Sequence, residues 1–372
     1  MFPFTRRAEP TGNRLLAGVA GALAAASGIA GLGLLSPGPK DVIIAAANKY
    51  LGLSMDLNTP WWVGAPLLAF CGTMLLVMMR ALKADRTDHE GKPFIAFRHH
   101  SLRNSVPPLL TRDAVPAGLG ERTLSHVDCD LTAQLADGAP SNNDLKAAVE
   151  EQQRRVEYLL SSIRTLPDAR AAYYGIAHVP LQVLAGRMFG PGLSPQLYEL
   201  DGDRATWMPL LDGNGANLHV RRVTAAAADP LADAAIRVSL SLEVSLDDVR
   251  QVLQEPFEDI HIRLAHPARN VVTHVGQVDA ICHEFRAALD SLHNRMALGG
   301  RVHLFLAVPM SVGFSLGRVL SSSVNPDVTC YNHTAQGSPR YAWGLRVNTD
   351  APSGKVVVRP RAVSTGIPTN SP

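Results

Sequence analysis

The chain has 372 residues, of which 46% are hydrophobic and only 18% are charged, and its formal net charge is +2. This length corresponds to two or three domains, and its periodic apolar sequence excludes a disordered or fibrous protein. Because the charge is nearly balanced and no basic tract is present, polymeric nucleic acid is not an expected partner. The four cysteines are isolated, so neither a disulfide framework nor a cysteine-based zinc site is expected.

The N-terminal region contains two long segments without Asp, Glu, Lys or Arg. They cover residues 15–39 and 57–79, which are 25 and 23 positions, and a helix needs about 20 apolar residues to cross a bilayer. We therefore predict transmembrane helices at 15–35 and 61–79. Basic residues are more numerous before the first span and after the second than between them, which predicts that both termini are cytoplasmic.

Two alternatives to a membrane hairpin are open. The first span has the basic start of a signal peptide, but it is longer than the about 7–15 apolar residues of such a signal. A buried hairpin in a soluble domain conflicts with the uninterrupted apolarity. Ala17, Gly21, Ala25 and Gly28 lie on one helical face, and small residues at this spacing let helices approach closely in lipid. This face is either a self-association surface or simply part of an alanine-rich anchor.

From residue 90 onward, strand and helix patterns alternate. Phe94–Phe97 and Arg301–Val308 are short strand patterns, whereas apolar stripes from Leu145 to Ile163 and from Val278 to Met296 advance by three and four residues, as in amphipathic helices. This alternation predicts a Rossmann-like α/β fold.

The α/β region contains an internal repeat. The segments Ala177–Val183 and Ala307–Val312 resemble each other, and both have a proline where a predicted strand ends. Each segment is followed by a Gly-Arg pair, a strand ending in tyrosine and a strand with tryptophan. These residues are Gly186-Arg187 and Gly317-Arg318, Tyr198 and Tyr331, and Trp207 and Trp343. The shared order predicts two similar α/β units in tandem, paired about a pseudo-twofold axis.

Candidate ligand-binding residues follow the strands of each unit. Ligands of open α/β sheets bind beyond the carboxyl ends of the strands, and free N–H groups at a proline-initiated helix N-terminus suit an anion. Polar side chains at these turns and aromatic rings that stack on bases complete the prediction. The predicted contacts are His178, Pro180, Gln182, Trp207, Pro309, Ser311, Tyr331, Tyr341 and Trp343. Packing in the core is the alternative for the aromatic residues, and Arg187 and Arg318 are expected to be solvated or paired on their helices.

Motifs of common enzymes are missing from the sequence. It contains no GxxxxGK[ST], HExxH or GxSxG pattern, so the signatures of many NTPases, zinc proteases and α/β-hydrolases are absent. The spacing of His261, His266, His274 and His283 matches no recognised ligand set. We therefore expect neither a metal nor a catalytic residue.

Four segments of the chain resemble the SAVED domain, the cyclic-oligonucleotide sensor of the bacterial antiphage signalling known as CBASS. They are Gly175–Gln182, Val302–Pro309, Leu316–Leu320 and Tyr341–Asn348. The resemblance implies two fused CARF-type, Rossmann-like α/β units. With two spans ahead of it, the whole chain resembles the two-transmembrane SAVED effectors. The expected regions are the spans and linker at 1–93, the SAVED domain at 94–350 and a flexible tail at 351–372.

The resemblance also implies a function. A nucleotidyltransferase (CD-NTase) activated by infection makes a cyclic di- or trinucleotide, the SAVED domain binds it, and the protein oligomerises. The spans then disrupt the inner membrane and cause abortive infection. We therefore expect a multi-pass inner-membrane protein without a cofactor and without enzymatic activity. Two alternatives are an anchored adaptor that recruits a separate effector, and a ring nuclease that cleaves its ligand with Ser311 or His178.

Overall fold

A computed structural model describes most of the chain that follows the predicted spans. The described residues are 92–102, 108–120, 122–135, 140–225, 231–253, 256–297, 299–335, 339–348 and 357–358, together with Thr73, Met79 and Arg80. The predicted spans 15–35 and 61–79 lie outside these residues, apart from Thr73 and Met79. Within the described part, no helix is long and apolar enough to cross a membrane. The chain divides into two compact regions, 1–90 and 91–372, and the fold below belongs to the second.

Strands and helices alternate through this region. The first unit contains β1 (Pro93–His100), β2 (Thr123–Asp130), α1 (Asn142–Thr165), β3 (Arg170–Ile176), α2 (Val179–Phe189), β4 (Gln196–Asp201) and β5 (Thr206–Pro209). The second unit contains β6 (Arg221–Ala225), β7 (Asp233–Ser239), α3 (Leu246–Arg250), β8 (Glu258–Arg263), α4 (Val275–His293), β9 (Arg301–Ala307), α5 (Met310–Val319), β10 (Asp327–Asn332), β11 (Trp343–Arg346) and β12 (Val357–Val358). The predicted α/β fold is confirmed.

The sheets of the two units repeat one strand order. The first sheet has the order β2-β1-β3-β4-β5, and the second has the order β12-β11-β10-β9-β7-β8-β6. In the second sheet, β7 to β11 take the places that β1 to β5 take in the first. Four neighbouring strands of each set are parallel, and the fifth is antiparallel. The predicted tandem repeat is therefore confirmed.

The long helices form where the apolar stripes predict them. Ser141 and Asp144 form a capping box at the start of α1, with hydrogen bonds of 2.9 and 3.1 Å. The buried faces of α1 and α4 carry the predicted stripes and cover the sheets. The apolar stripe predicted to reach Met296 extends beyond the helix, because α4 ends at His293 and the chain then turns back towards β9.

The two units meet where α2 crosses α5. Gly186 of α2 lies against the carbonyl of Phe314, and Gly317 of α5 lies against the carbonyl of Val183. At either glycine a Cβ atom would overlap the opposing carbonyl oxygen, so only glycine fits. Corresponding positions of the repeat exchange these contacts, as in a twofold interface. The crossing therefore supports the predicted pseudo-twofold axis.

Two arginines fasten this crossing at its C-terminal side. Arg187 of α2 donates a hydrogen bond to Ser322 at 3.1 Å. Arg318 of α5 donates to the carbonyls of Gly190 and Leu193 at 3.1 and 2.5 Å. Each arginine thus binds the loop that follows the helix of the other unit. The expectation that they are solvated or paired on their own helices is wrong, because the crossing brings the opposite loop within reach.

Candidate ligand-binding site between the two units

The turn from β3 into α2 is held by a serine at the end of the neighbouring strand. The Ser101 hydroxyl oxygen accepts a hydrogen bond from the His178 backbone N–H at 2.7 Å and also lies 2.7 Å from His178 Nδ1. The His178 ring lies 5.5 Å from the ring of Trp343, measured between centroids. Burial lowers the pKa of His178 from 6.5 to about 4. The imidazole is therefore neutral at pH 7, and it presents polar atoms without a charge.

Gln182 places an unsatisfied acceptor between the two helices. Its side chain is 6% exposed, and its Nε2 donates to the carbonyl of Ala177 at 2.5 Å. Among the described residues, its Oε1 has no hydrogen-bond partner, and it lies beside Gly313 in the N-terminal part of α5. Buried polar atoms are nearly always hydrogen-bonded. An unsatisfied amide oxygen at this junction is therefore a candidate contact for a donor group of a ligand.

A carboxylate of the first unit lies at the N-terminus of α5. Glu199 of β4 accepts a hydrogen bond from the Ser311 backbone N–H at 2.7 Å. Burial raises the pKa of Glu199 above its ordinary value, against hydrogen bonds from Ser311 and Met310 that lower it. Pro309 is the N-cap residue of this helix. The expectation that this end offers free N–H groups is wrong for the Ser311 N–H, because Glu199 already binds it.

The N-terminus of α2 differs from that of α5. Two of its early N–H groups are used within the chain, because Leu181 and Gln182 donate to the carbonyl of His178 at 3.0 and 3.1 Å. Pro180 has no N–H to offer. The two helix N-termini therefore do not offer the same donors to an anion. The roles of Pro180 and Pro309 as ligand contacts remain predictions.

The two tryptophans have different surroundings. Trp343 is buried beside His178 at the junction of the units. Trp207 is buried in the first unit, where its Nε1 donates to the carbonyl of Pro108 at 2.7 Å and its ring meets Tyr174 edge-on at 5.2 Å. Trp207 therefore packs in the core, whereas Trp343 lies with the polar residues of the candidate site.

The two predicted tyrosines belong to a separate core. Tyr331 stacks on Phe305 with ring centroids 4.9 Å apart, and Tyr341 meets Phe305 edge-on at 4.8 Å. The Tyr331 hydroxyl lies 2.9 Å from His303 Nδ1. This cluster packs together with Val249 of α3. Hence the structure does not bring these tyrosines together with His178, Gln182 and Trp343.

A family model decides which proteins this chain is related to. The model described as "SMODS-associated and fused to various effectors sensor domain", or SAVED, matches residues 152–347, which is more than half of the chain. The chain belongs to the SAVED family. The match begins within α1, but β1 and β2 precede it and pair in the same sheet as β3. The α/β fold therefore begins before the matched residues, at Pro93.

Similar solved structures include Cap4 SAVED/CARF-domain containing receptors. Two are from Acinetobacter baumannii, one with the cyclic trinucleotide 2'3'3'-cAAA and one with 3'3'3'-cAAA. They are 11% and 12% identical to this chain, with TM-scores of 0.44 and 0.45, over 79% and 82% of this chain and 63% and 65% of theirs. A Moraxella osloensis Cap4 receptor has 12% identity and a TM-score of 0.42, over 80% and 63%. The SAVED chain thus covers less than two thirds of each receptor. A comparison with curated proteins found no significant match.

One serine–histidine pair in the SAVED domain resembles part of a catalytic triad. Ser239 Oγ lies 2.8 Å from His261 Nε2, but Ser239 is fully buried and its oxygen accepts from the Val244 N–H at 2.9 Å. Glu243 approaches the same nitrogen, at 3.8 Å, whereas a triad carboxylate binds Nδ1. This pair therefore links β7 and β8. Within the described ranges, no three metal-ligating side chains converge.

Proposed function

We propose that the SAVED domain of this chain binds a cyclic di- or trinucleotide at the junction of α2 and α5. The observation that carries the proposal is the grouping of His178 and Gln182, which follow the end of β3, with Trp343 at the start of β11. A buried acceptor suits the N–H groups of a base, a neutral imidazole suits polar ligand atoms, and an indole suits stacking. Membership of the SAVED family supports this ligand class.

We place this sensor in a CBASS pathway as a membrane-anchored effector. A CD-NTase supplies the ligand, binding causes the chains to oligomerise, and the spans at 15–35 and 61–79 disrupt the bacterial inner membrane. The length and apolarity of the two segments support the membrane part. The small-residue face of the first span supports self-association. The proposal requires no cofactor and no cleavage of the ligand.

Calorimetry on the full-length chain tests the sensor. We expect one member of a panel of cyclic di-, tri- and tetranucleotides to bind at nanomolar to micromolar strength, and cyclic trinucleotides are the first probes. His178→Ala and Gln182→Leu should weaken binding, whereas His293→Ala, at the exposed end of α4, should leave it unchanged. A folded chain that binds none of the panel would refute the proposal.

Two further measurements test the effector step. Light scattering should show a mass increase when ligand is added, and chromatography should recover the ligand intact. Leucine at Ala17, Gly21, Ala25 and Gly28 should abolish membrane leakage in cells that make the ligand. Leakage that persists in this variant, and with an unrelated apolar span in place of the first, would favour the anchored adaptor. Ligand that is consumed would favour the ring nuclease.

A further inference from the structure

We propose that Glu199 is an internal competitor of the ligand, whose carboxylate occupies the N-terminus of α5 in the free protein until an anionic ligand group replaces it. The inference rests on the proposed function for the identity of that ligand. It assigns to Glu199 the control of affinity, which no motif of the sequence indicates.

The first support is the contact between the units. Glu199 belongs to β4 of the first unit, yet its carboxylate binds the Ser311 N–H of the second unit at 2.7 Å. The N-terminus of a helix attracts negative charge and binds phosphate and carboxylate groups alike. Glu199 therefore fills the position that a ligand phosphate would take. The contact also couples this position to the interface of the two units.

The second support is the difference between the two halves of the repeat. Asn332 follows Tyr331 in the second unit as Glu199 follows Tyr198 in the first, and its Nδ2 donates to the adjacent carbonyl of His333 at 3.3 Å. The counterpart of Ser311 is Pro180, which has no N–H. The fold therefore builds the same turn without a carboxylate and without an N–H donor at the position that Ser311 takes in α5. An acidic residue at Glu199 is not a requirement of the fold.

The third support is the way in which the carboxylate is held. Burial raises the pKa of Glu199, so the charged form is penalised, and the hydrogen bonds that oppose this effect come from Ser311 and Met310. Among the described residues, no Lys, Arg or His forms an ion pair with Glu199. A phosphodiester carries its charge at neutral pH, whereas burial works against the charge of this carboxylate. Replacement by a ligand phosphate is therefore favourable.

The fourth support is the acceptor beside the same helix end. Gln182 is 6% exposed, and its Oε1 lies without a partner among the described residues, next to Gly313. The N-terminal part of α5 thus faces an acceptor that the free protein leaves unused. A ligand that carries both phosphates and N–H donors would satisfy Gln182 while it replaces Glu199.

Calorimetry with the cyclic oligonucleotide panel tests the competition on the full-length chain. Glu199→Gln keeps a carbonyl oxygen for the Ser311 N–H but removes the charge, and we expect about tenfold tighter binding, which corresponds to about 1.4 kcal/mol. Glu157→Gln, on the exposed face of α1, makes the same charge change away from the site and should bind as the wild type does. Unchanged or weaker binding by Glu199→Gln would overturn the inference and leave the sensor proposal intact.

A spectroscopic measurement decides the inference even if no panel member binds. Met310-Ser311 is the single Met-Ser sequence in the chain, so carbonyl-¹³C methionine with ¹⁵N serine gives one amide signal, from Ser311. Inorganic phosphate should shift this signal in Glu199→Gln at lower concentration than in the wild type. Equal responses, or no response in either protein, would overturn the inference. Failure of the panel alone would count against the proposed function.

A second variant keeps the inference testable if Glu199→Gln does not fold. Ser311→Pro copies Pro180 at the corresponding position of α2, and proline is tolerated in the first turn of a helix. This variant removes the Ser311 N–H, one of the donors for which ligand and Glu199 compete, so we expect at least tenfold weaker ligand binding. Ligand binding at wild-type strength by a folded Ser311→Pro variant would overturn the inference.

Discussion

Alanine at Gly186 or Gly317 should force the two units apart. Either Cβ atom would overlap a backbone carbonyl of the facing helix, and a carbonyl cannot turn away as a side chain can. Overpacking costs about 1–3 kcal/mol, and a backbone obstacle places this site near the upper end. Alanine regains about 1 kcal/mol through its helix propensity. The net loss is about 2 kcal/mol, or about 4–8 °C in melting temperature for a domain of this size.

Thermal unfolding followed by circular dichroism measures this loss. Gly118→Ala is the matched control, because no atom lies within 4 Å of the added methyl group, and its melting temperature should not fall. Since one displacement of the helices relieves both overlaps, the Gly186→Ala/Gly317→Ala double variant should lose less than the sum of the single variants. Single variants as stable as the wild type would refute the close crossing.

Three more predictions concern Arg318, the two tryptophans and His178. Arg318→Met leaves the loop carbonyls of Gly190 and Leu193 without their donor and should lower the unfolding free energy by about 2 kcal/mol. Arg204→Met, on an exposed turn, should change the unfolding free energy little. Equal losses for both variants in denaturant titrations would contradict a stabilising role of the Arg318 contacts. Trp343→Phe should weaken ligand binding in calorimetry, whereas Trp207→Phe should lower stability and leave affinity unchanged. Weaker binding by Trp207→Phe and unchanged binding by Trp343→Phe would contradict the proposed position of the site. His178 has a folded pKa of about 4 and an unfolded value of 6.5, so stability from this residue is complete above pH 6.5 and is lost as the pH falls towards 4. His178→Gln should flatten that part of the pH profile, and an unchanged slope would assign it to other groups.

The order of elements was predictable because it depends on local patterns. Apolar stripes and strand-ending prolines mark α1, α4, β3 and β9, and the repeat of Gly-Arg, tyrosine and tryptophan reveals two units before any contact is known. The position of the turns that follow the strands was also accessible, since parallel strands end at the same edge of a sheet. His178 and Gln182 were predicted from these turns and Trp343 from the repeat. The structure places the His178 ring beside Trp343, and the contact of these residues with a ligand stays a prediction.

Contacts between the units were not predictable from these patterns. Glu199 binds Ser311 at a separation of 112 residues, and nothing in the sequence around Glu199 marks the helix that it reaches. One signal was present, since the repeat aligns Glu199 with Asn332, a charged residue against a neutral one. Tyr331 and Trp207 were assigned to the site because the repeat gives their order, but order alone does not tell which layer a strand residue faces.

At their closest approach, α2 and α5 have no side chains between their backbones, so Gly186 and Gly317 form the pivot, the point about which the helices could turn. The two ends of α5 lie at different distances from this point. Because backbone lies directly against backbone, the helices cannot approach further, and any relative movement would have to turn about Gly186 and Gly317. Seven residues separate Gly317 from the start of α5 at Met310, which is an arm of about 10 Å, whereas Arg318 lies one residue beyond the pivot. A turn of about 10° would move the far end by about 2 Å but the arginine backbone by only a fraction of that. A displacement of the end of α5 that meets Glu199 would therefore produce only a small, oppositely directed displacement at the loops that Arg187 and Arg318 bind.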